Sequence, residues 1–175
     1  KLKKVLETET DTELRKAAIH GIAMEDDSDA AEVLESIYDN ATSIEEKKTV
    51  LEALVMIDDA EDLALKIVRT EKDPQLRRDA IHMLGVMEAT AEIAGLYGVI
   101  DEVELRKAVL ESMMVADDTE GLMEVLKTEK DPEMRAAAIQ ALAVSDDKVA
   151  ADYLISLYAD GSDDEKHAVI QSMLI

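Results

Sequence analysis

Apolar and polar positions along this chain follow the period of a helix rather than that of a strand. From Gln75, the residues Leu76, Ala80, Met83 and Leu84 keep the i, i+4, i+7, i+8 spacing that lays one apolar stripe along an α-helix. The same pattern returns in ELRKAAIHGI from Glu13, EEKKTVLEAL from Glu45, QLRRDAIHML from Gln75, ELRKAVLESM from Glu104, EMRAAAIQAL from Glu133 and DEKHAVIQSM from Asp164. The starts are 32, 30, 29, 29 and 31 residues apart, a register that marks an internal repeat. A longer rhythm overlies it. TEKDP occurs at Thr70–Pro74 and again at Thr128–Pro132, 58 residues on, and Tyr38, Tyr97 and Tyr158 close the segments of the other units at spacings of 59 and 61. Two unit types therefore alternate.

Each unit reads as two helices. Asp73 and Asp131 are suited to cap, each with Pro74 or Pro132 at the first helical position. Thr10 with Glu13, Ser43 with Glu46 and Ser162 with Glu165 have the spacing of capping boxes. The stretches between, such as DAAEVLESIY and DTEGLMEVL, are also helical in pattern and are entered through Asp-rich turns. No segment sustains strand alternation or carries an Asn-Gly hairpin turn. A two-helix unit of this size cannot bury enough apolar surface to offset the entropy of ordering it, so neighbouring units must stack. The expected fold is all-α: one array over residues 1–175, in units 1–25, 26–57, 58–87, 88–116, 117–145 and 146–175.

The run Asp73-Pro74-Gln75-Leu76-Arg77-Arg78-Asp79-Ala80-Ile81-His82-Met83-Leu84-Gly85 resembles the second helix of a HEAT-like repeat, of the short bacterial kind also called phycobilisome-lyase-like. Asp131-Pro132-Glu133-Met134-Arg135-Ala136-Ala137-Ala138 matches it almost as well. Tetratricopeptide repeats fit less well: their period is about 34 and their Trp/Leu-Gly/Tyr pattern is missing here. The resemblance implies a right-handed superhelix with the Asp-Pro-started helices lining its concave face, and a bacterial, exported setting. Residues Leu2–Thr8 look like the tail of a longer outer helix, and Gln171–Ile175 stops where its relative Ser112–Ala116 runs on. A segment of a longer protein is the expectation.

Composition narrows the chemistry. There are 41 Asp+Glu against 19 Lys+Arg, a net charge of −22, which argues against nucleic acid and anionic membrane surfaces. Zero Cys excludes thiol catalysis and cysteine-ligated zinc. There is no GxSxG elbow, phosphate loop or glycine-rich dinucleotide fingerprint. No apolar run reaches the roughly 18 residues of a spanning helix. The core must come from Leu, Ile, Val, Met and Ala, since Phe and Trp are absent, and the nine Met are expected to fill core gaps.

Two rows of residues recur in the repeat. Arg15, Lys47, Arg77, Arg106, Arg135 and Lys166 are expected to pair with turn acids such as Asp73 and Asp131 as a ladder between units, more weakly at the two Lys. Next to them, Lys16, Lys48, Arg78 and Lys107 form a basic row that lapses to Ala136 and His167. One turn further on come His20, Glu52, His82, Glu111, Gln140 and Gln171. If the resemblance holds, both rows face a groove; the alternative is an ordinary solvated face with ion pairs. The Tyr series reads as packing with a hydrated hydroxyl. The paired acids Asp26-Asp27, Asp58-Asp59, Asp117-Asp118 and Asp146-Asp147 read as helix starters, lacking the spacing of a calcium loop.

No metal or other cofactor is expected. His20 and His82 lie two units apart, roughly 20 Å at the spacing of stacked helices, too far to share an ion. One HEAT-like enzyme, deoxyhypusine hydroxylase, carries His-Glu dipeptides for two irons; the matching positions here, Lys16-Ala17 through His167-Ala168, contain no such pair. The expected function is a non-enzymatic scaffold binding a protein or peptide, acidic where it meets the Lys16–Lys107 strip and basic elsewhere. The alternative is a lyase or chaperone acting on a bound chromophore or protein client. The charge excess also makes a stability prediction. Self-repulsion is screened over about 10 Å at 0.1 M salt but about 30 Å at 0.01 M. Melting temperature, followed by circular dichroism, should rise as sodium chloride is added.

Overall fold

The computed structural model describes residues 2–25 and 29–174. Twelve helices lie among the described residues, joined by turns and short loops and with no strand. They are α1 (Leu2–Thr8), α2 (Thr12–Ala23), α3 (Ala30–Asn40), α4 (Ile44–Leu54), α5 (Glu61–Thr70) and α6 (Pro74–Val86), followed by α7 (Thr90–Tyr97), α8 (Val103–Val115), α9 (Thr119–Thr128), α10 (Pro132–Ala143), α11 (Lys148–Asp160) and α12 (Asp163–Ser172). The chain divides into two compact units, Lys1–Met83 and Leu84–Ile175.

Within each unit the packing is between neighbours. In the first, α2 packs on α1, α3 and α4, and α3 on α4. In the second, α8 packs on α7, α9 and α10, while α10 packs on α9, α11 and α12. The second helix of a pair therefore contacts the second helix of the next at α2–α4, α8–α10 and α10–α12. That position needs more than one apolar stripe. On α10, Met134, Ala138, Ile139, Ala141 and Leu142 are all buried, and on α8 so are Leu105, Ala108, Val109, Leu110, Ser112 and Met113. Small residues let the helices approach closely, and Leu, Ile and Val fill the remaining space.

The caps explain where the helices start. Asp73 Oδ1 accepts from the backbone N–H of Gln75 at 2.8 Å and Leu76 at 3.1 Å. Asp131 Oδ1 does the same for Glu133 and Met134, at 2.8 and 3.3 Å. Ser162 and Glu165 form a complete capping box. At α2 the cap is Asp11, not Thr10: its Oδ1 accepts from the N–H of both Glu13 and Leu14, at 3.0 Å each. Ser43 caps Glu46, but the Glu46 carboxylate turns to another partner.

The paired acids divide their roles. Asp118 caps Gly121 and Asp147 caps Val149. Asp59 and Asp117, with Glu88, instead hold positive φ in the turns between pairs, and α5 starts at Glu61 after Ala60, which supplies no side-chain cap. Asp26-Asp27 lies outside the described residues. The expectation that Met fills the core holds for Met113 and Met134 but not for Met24, Met56 and Met173, which are exposed.

One contact in the second unit tests this packing. A Cβ on Gly85 would stand 2.6 Å from Ser112 Oγ and 2.8 Å from the Ser112 carbonyl oxygen, so only glycine admits α8 there. Around Gly95 of α7 there is nothing within 4 Å. Gly85→Ala should therefore destabilise the protein by about 1–3 kcal/mol in urea titration. Gly95→Ala should stabilise it by about 0.5–1 kcal/mol.

Candidate functional site

The candidate row lies along the second helices of the pairs, on their solvent-reaching side. Lys16, Glu52, Arg78, His82, Glu111, Gln140 and Gln171 are exposed; His20, Lys48 and Lys107 are half-buried. The structure links several of them across successive helices. Lys16 Nζ stands 3.7 Å and His20 Nε2 3.9 Å from Glu52 Oε2, joining α2 to α4. Lys48 Nζ is 3.9 Å from Asp79 Oδ2 on α6. In the second unit Lys107 Nζ donates to Glu133 Oε1 of α10 at 2.6 Å, with Glu104 at 3.5 Å. The cations Lys16, Lys48 and Lys107 thus each face a carboxylate, mostly from the next helix, and the row is charge-compensated.

Where the row lapses to alanine, the surface sinks. Between α8 and α10 a depression of about 490 Å³ has Lys107, Glu111, Glu133 and Gln140 around it and Met114, Ala136, Ala137 and Val144 among its apolar lining. Ala136 has only a methyl group where the repeat carries a long cation at Lys16, Lys48 and Arg78.

Beside the row runs a second set of contacts, partly foreseen. The repeated cation does bridge units, but its acids are Glu46, Glu71, Glu129 and Glu165 rather than Asp73 and Asp131, whose carboxylates are already engaged at helix N-termini. Two link types alternate. In one, Arg15 donates to the Leu6 and Glu9 carbonyl oxygens at 2.7 and 2.9 Å and pairs with Glu46 of the next helix pair. Arg135 repeats this on Leu126 and Glu129, at 2.5 and 2.7 Å, and on Glu165.

In the other link type, the Tyr hydroxyl joins in. Tyr38 donates to Glu71 Oε2 at 2.8 Å, which also accepts from Lys47 Nζ at 2.6 Å, while Lys47 lies 4.8 Å from the Tyr38 ring centre. Tyr97 donates to Glu129 Oε2 at 2.6 Å, Arg106 pairs with the same oxygen, and its guanidinium lies 4.6 Å from the Tyr97 ring centre. The expectation of a hydrated Tyr hydroxyl is corrected at these two positions: Tyr38 is buried and both hydroxyls donate to a carboxylate. The signal was present as co-recurrence. Each Tyr is followed nine residues on by the cation and 33 or 32 residues on by the Glu of TEKDP.

These clusters shift acidities. Burial pushes the Glu71 carboxyl upward, but hydrogen bonds from Lys47, the Asp73 N–H, Tyr38 and the Lys72 N–H outweigh it and hold it at about 2. Glu129 sits at about 2 for the same reasons, with Tyr97, the N–H groups of Asp131 and Lys130, and Arg106 overcoming burial. Burial and the adjacent carboxylates raise both Tyr hydroxyls. Such groups are locked in structural links, with nothing poised to exchange protons near neutral pH. Among the described residues no cluster of three or more His, Asp or Glu is placed to hold a metal ion, and no helix is long and apolar enough to cross a membrane.

Comparison with known proteins agrees with this architecture. The sequence model of a family described as HEAT repeats matches residues 65–173. Among solved structures, the chain is similar to the complex of CpcE and CpcF of phycocyanin lyase from Nostoc sp. PCC7120. The identity is 15%, the match covers 98% of this chain and 74% of that one, and the TM-score is 0.53, a likeness of fold. No curated protein matches the sequence.

The two glutamates predict an acid transition with a definite sign. Their folded acidity, about 2, lies below the ordinary value of 4.5, so between those limits the unfolded chain binds more protons than the folded one. Stability from these links is full above about pH 4.5 and is lost as pH falls toward 2. Glu129→Gln should cost roughly 2 kcal/mol at pH 7 and flatten the acid limb of a stability–pH profile from urea titrations.

Proposed function

Because this chain belongs to the HEAT-repeat family, we propose that it works as a protein-binding scaffold without chemistry of its own, holding a segment of a partner along the exposed side of its second helices. The observation that carries this reading is the depression between α8 and α10, an apolar-lined hollow set within a row of otherwise charge-paired side chains. Recognition there would combine burial of an apolar side chain over Ala136 and Ala137 with polar contacts to Gln140 and the rim charges. The rim carries Glu111 and Glu133 against Lys107, so the local balance is acidic. The partner segment is therefore apolar with flanking Lys or Arg. Gln171 lies on α12 of the same unit and is proposed to extend this contact, and Lys16, His20, Lys48, Glu52, Arg78 and His82 are proposed as partner contacts of the first unit by itself.

A second reading has one observation in its favour, the likeness to the phycocyanin lyase complex. A subunit acting on a chromophore would need groups to grip or attach it, and this chain has no Cys, Trp or Phe. Titrating the protein with a bilin discriminates: a shifted, stoichiometric spectrum supports this reading and an unchanged one removes it.

Peptide-display selection against the immobilised chain tests the scaffold. Enriched peptides should be apolar and basic, and Ala137→Arg, which fills the hollow from a half-buried position, should weaken their binding at least tenfold. Far-ultraviolet circular dichroism should be unchanged. Binding that survives the substitution would move the site away from this face.

A further inference from the structure

One apolar position of the repeat lies outside the packed stripe of the second helices. Eleven residues after the aligned starts at Glu13, Glu45, Gln75, Glu104 and Glu133 stand Met24, Met56, Val86, Val115 and Val144. They are 73%, 48%, 42%, 41% and 68% exposed, whereas two residues earlier Ile22, Leu54, Leu84, Met113 and Leu142 are almost wholly buried. Core packing therefore does not require an apolar side chain here, and valine is a weak helix former, so helix propensity does not favour it either. Apolar residues scattered singly over a surface are ordinary; one repeat position kept apolar and open from pair to pair is not.

In the second unit this position forms a strip with acids beside it. The Ser112 backbone lies against Gly85, which brings the end of α6 to α8, and α8 packs on α10. Val86, Val115 and Val144 thus stand at the C-terminal ends of three successive helices. Two residues after each come the exposed Glu88, Asp117 and Asp146, none of which meets a cation among the described residues. Lys148 is the one basic residue in the turn segments 86–90, 115–120 and 144–148. Between the α8–α9 and α10–α11 turns a hollow of about 260 Å³ is walled by Met114, Leu122, Ala141 and Val144 and carries Asp117 and Asp146. Apolar walls beside two carboxylates suit the methylene stem and charged head of Lys or Arg.

We infer that this edge of the second unit docks an extended segment of a partner protein that carries an apolar side chain at every third residue and Lys or Arg between them. Packed helices lie about 8–10 Å apart, and a polyproline-type chain returns the same face every three residues, about 9 Å along. One turn of such a segment therefore spans one helix, setting an apolar side chain on each valine and a cation beside each acid. The net charge of −22 draws a basic segment toward the chain from a distance. The strip is distinct from the α8–α10 hollow, which Val86 and Val115 do not line, and shares with that reading the premise that the chain is a binding scaffold.

Fluorescence anisotropy on the full chain in about 0.15 M sodium chloride tests this, with a labelled peptide of about twelve residues repeating Leu-Lys-Pro. That peptide should bind at least tenfold more tightly than one of the same composition and charge with its leucines gathered in one block. Val86→Ser combined with Val115→Ser, both at exposed side chains, should weaken the repeating peptide at least fivefold. Asp146→Lys should weaken it at least threefold, while Ala137→Arg changes it less than twofold. Equal binding of the two peptides overturns the inference, as does binding that the serines leave unchanged. If affinity falls with Ala137→Arg alone, the α8–α10 hollow is the binding site and the strip is not. A mass that rises with concentration in sedimentation and is held down by the two serines, without peptide binding, assigns the strip to a second copy and overturns the inference too.

Discussion

The constraint on which this structure rests is that a single helix pair cannot bury its own apolar surface. Ile19 of α2, Leu51 of α4, Leu110 of α8 and Ile139 of α10 are almost wholly buried because a neighbouring pair covers them. Stacking brings its own difficulty. The C-terminal turn of each first helix leaves carbonyl oxygens without intrahelical donors, close to the seam that must close. Arg15 and Arg135 resolve both demands together, one guanidinium nitrogen serving the open carbonyls and another meeting a glutamate of the following pair. Only the multi-donor fork of arginine reaches two such partners at once.

The alternating link replaces carbonyl contacts with a phenol. At Glu71 and Glu129 the carboxylate takes backbone N–H donors on one oxygen and Tyr with Lys or Arg on the other, so a half-buried charge is fully compensated. A buried carboxylate left with a single donor would cost more than the link contributes. Full satisfaction explains why Tyr, cation and glutamate recur as a set. Lysine serves at Lys47 where arginine serves at Arg106, because the tyrosine supplies part of the geometry that a lysine lacks.

These links occupy the seams and leave the exposed side of the second helices for other uses. There the charges of Lys16, Lys48 and Lys107 are met by acids of adjacent helices, so the surface is polar without being basic. The α8–α10 hollow interrupts it. It exists because Ala136 stands where other repeats carry a long cation, a local departure that changes surface shape while leaving the buried stripe of α10 intact.

How much of this was legible in the linear chain follows from the range of the forces involved. Helical periodicity, the Asp-Pro starts and the repeat spacing are local or translational features, and they determined the all-α stacked architecture and the identity of the core stripe. The partners of the cations were not local. Asp73 and Asp131 lie nearer in sequence than the glutamates that the cations of neighbouring repeats meet, but each spends its carboxylate on its own helix N-terminus, and only the stacked arrangement brings Glu46 to Arg15 or Glu165 to Arg135. Sequence determined the elements and their order, because those depend on neighbours within a turn or two. Tertiary structure decided which charges are satisfied, because a side chain's electrostatic environment is set by groups that the chain brings close only after the pairs have packed.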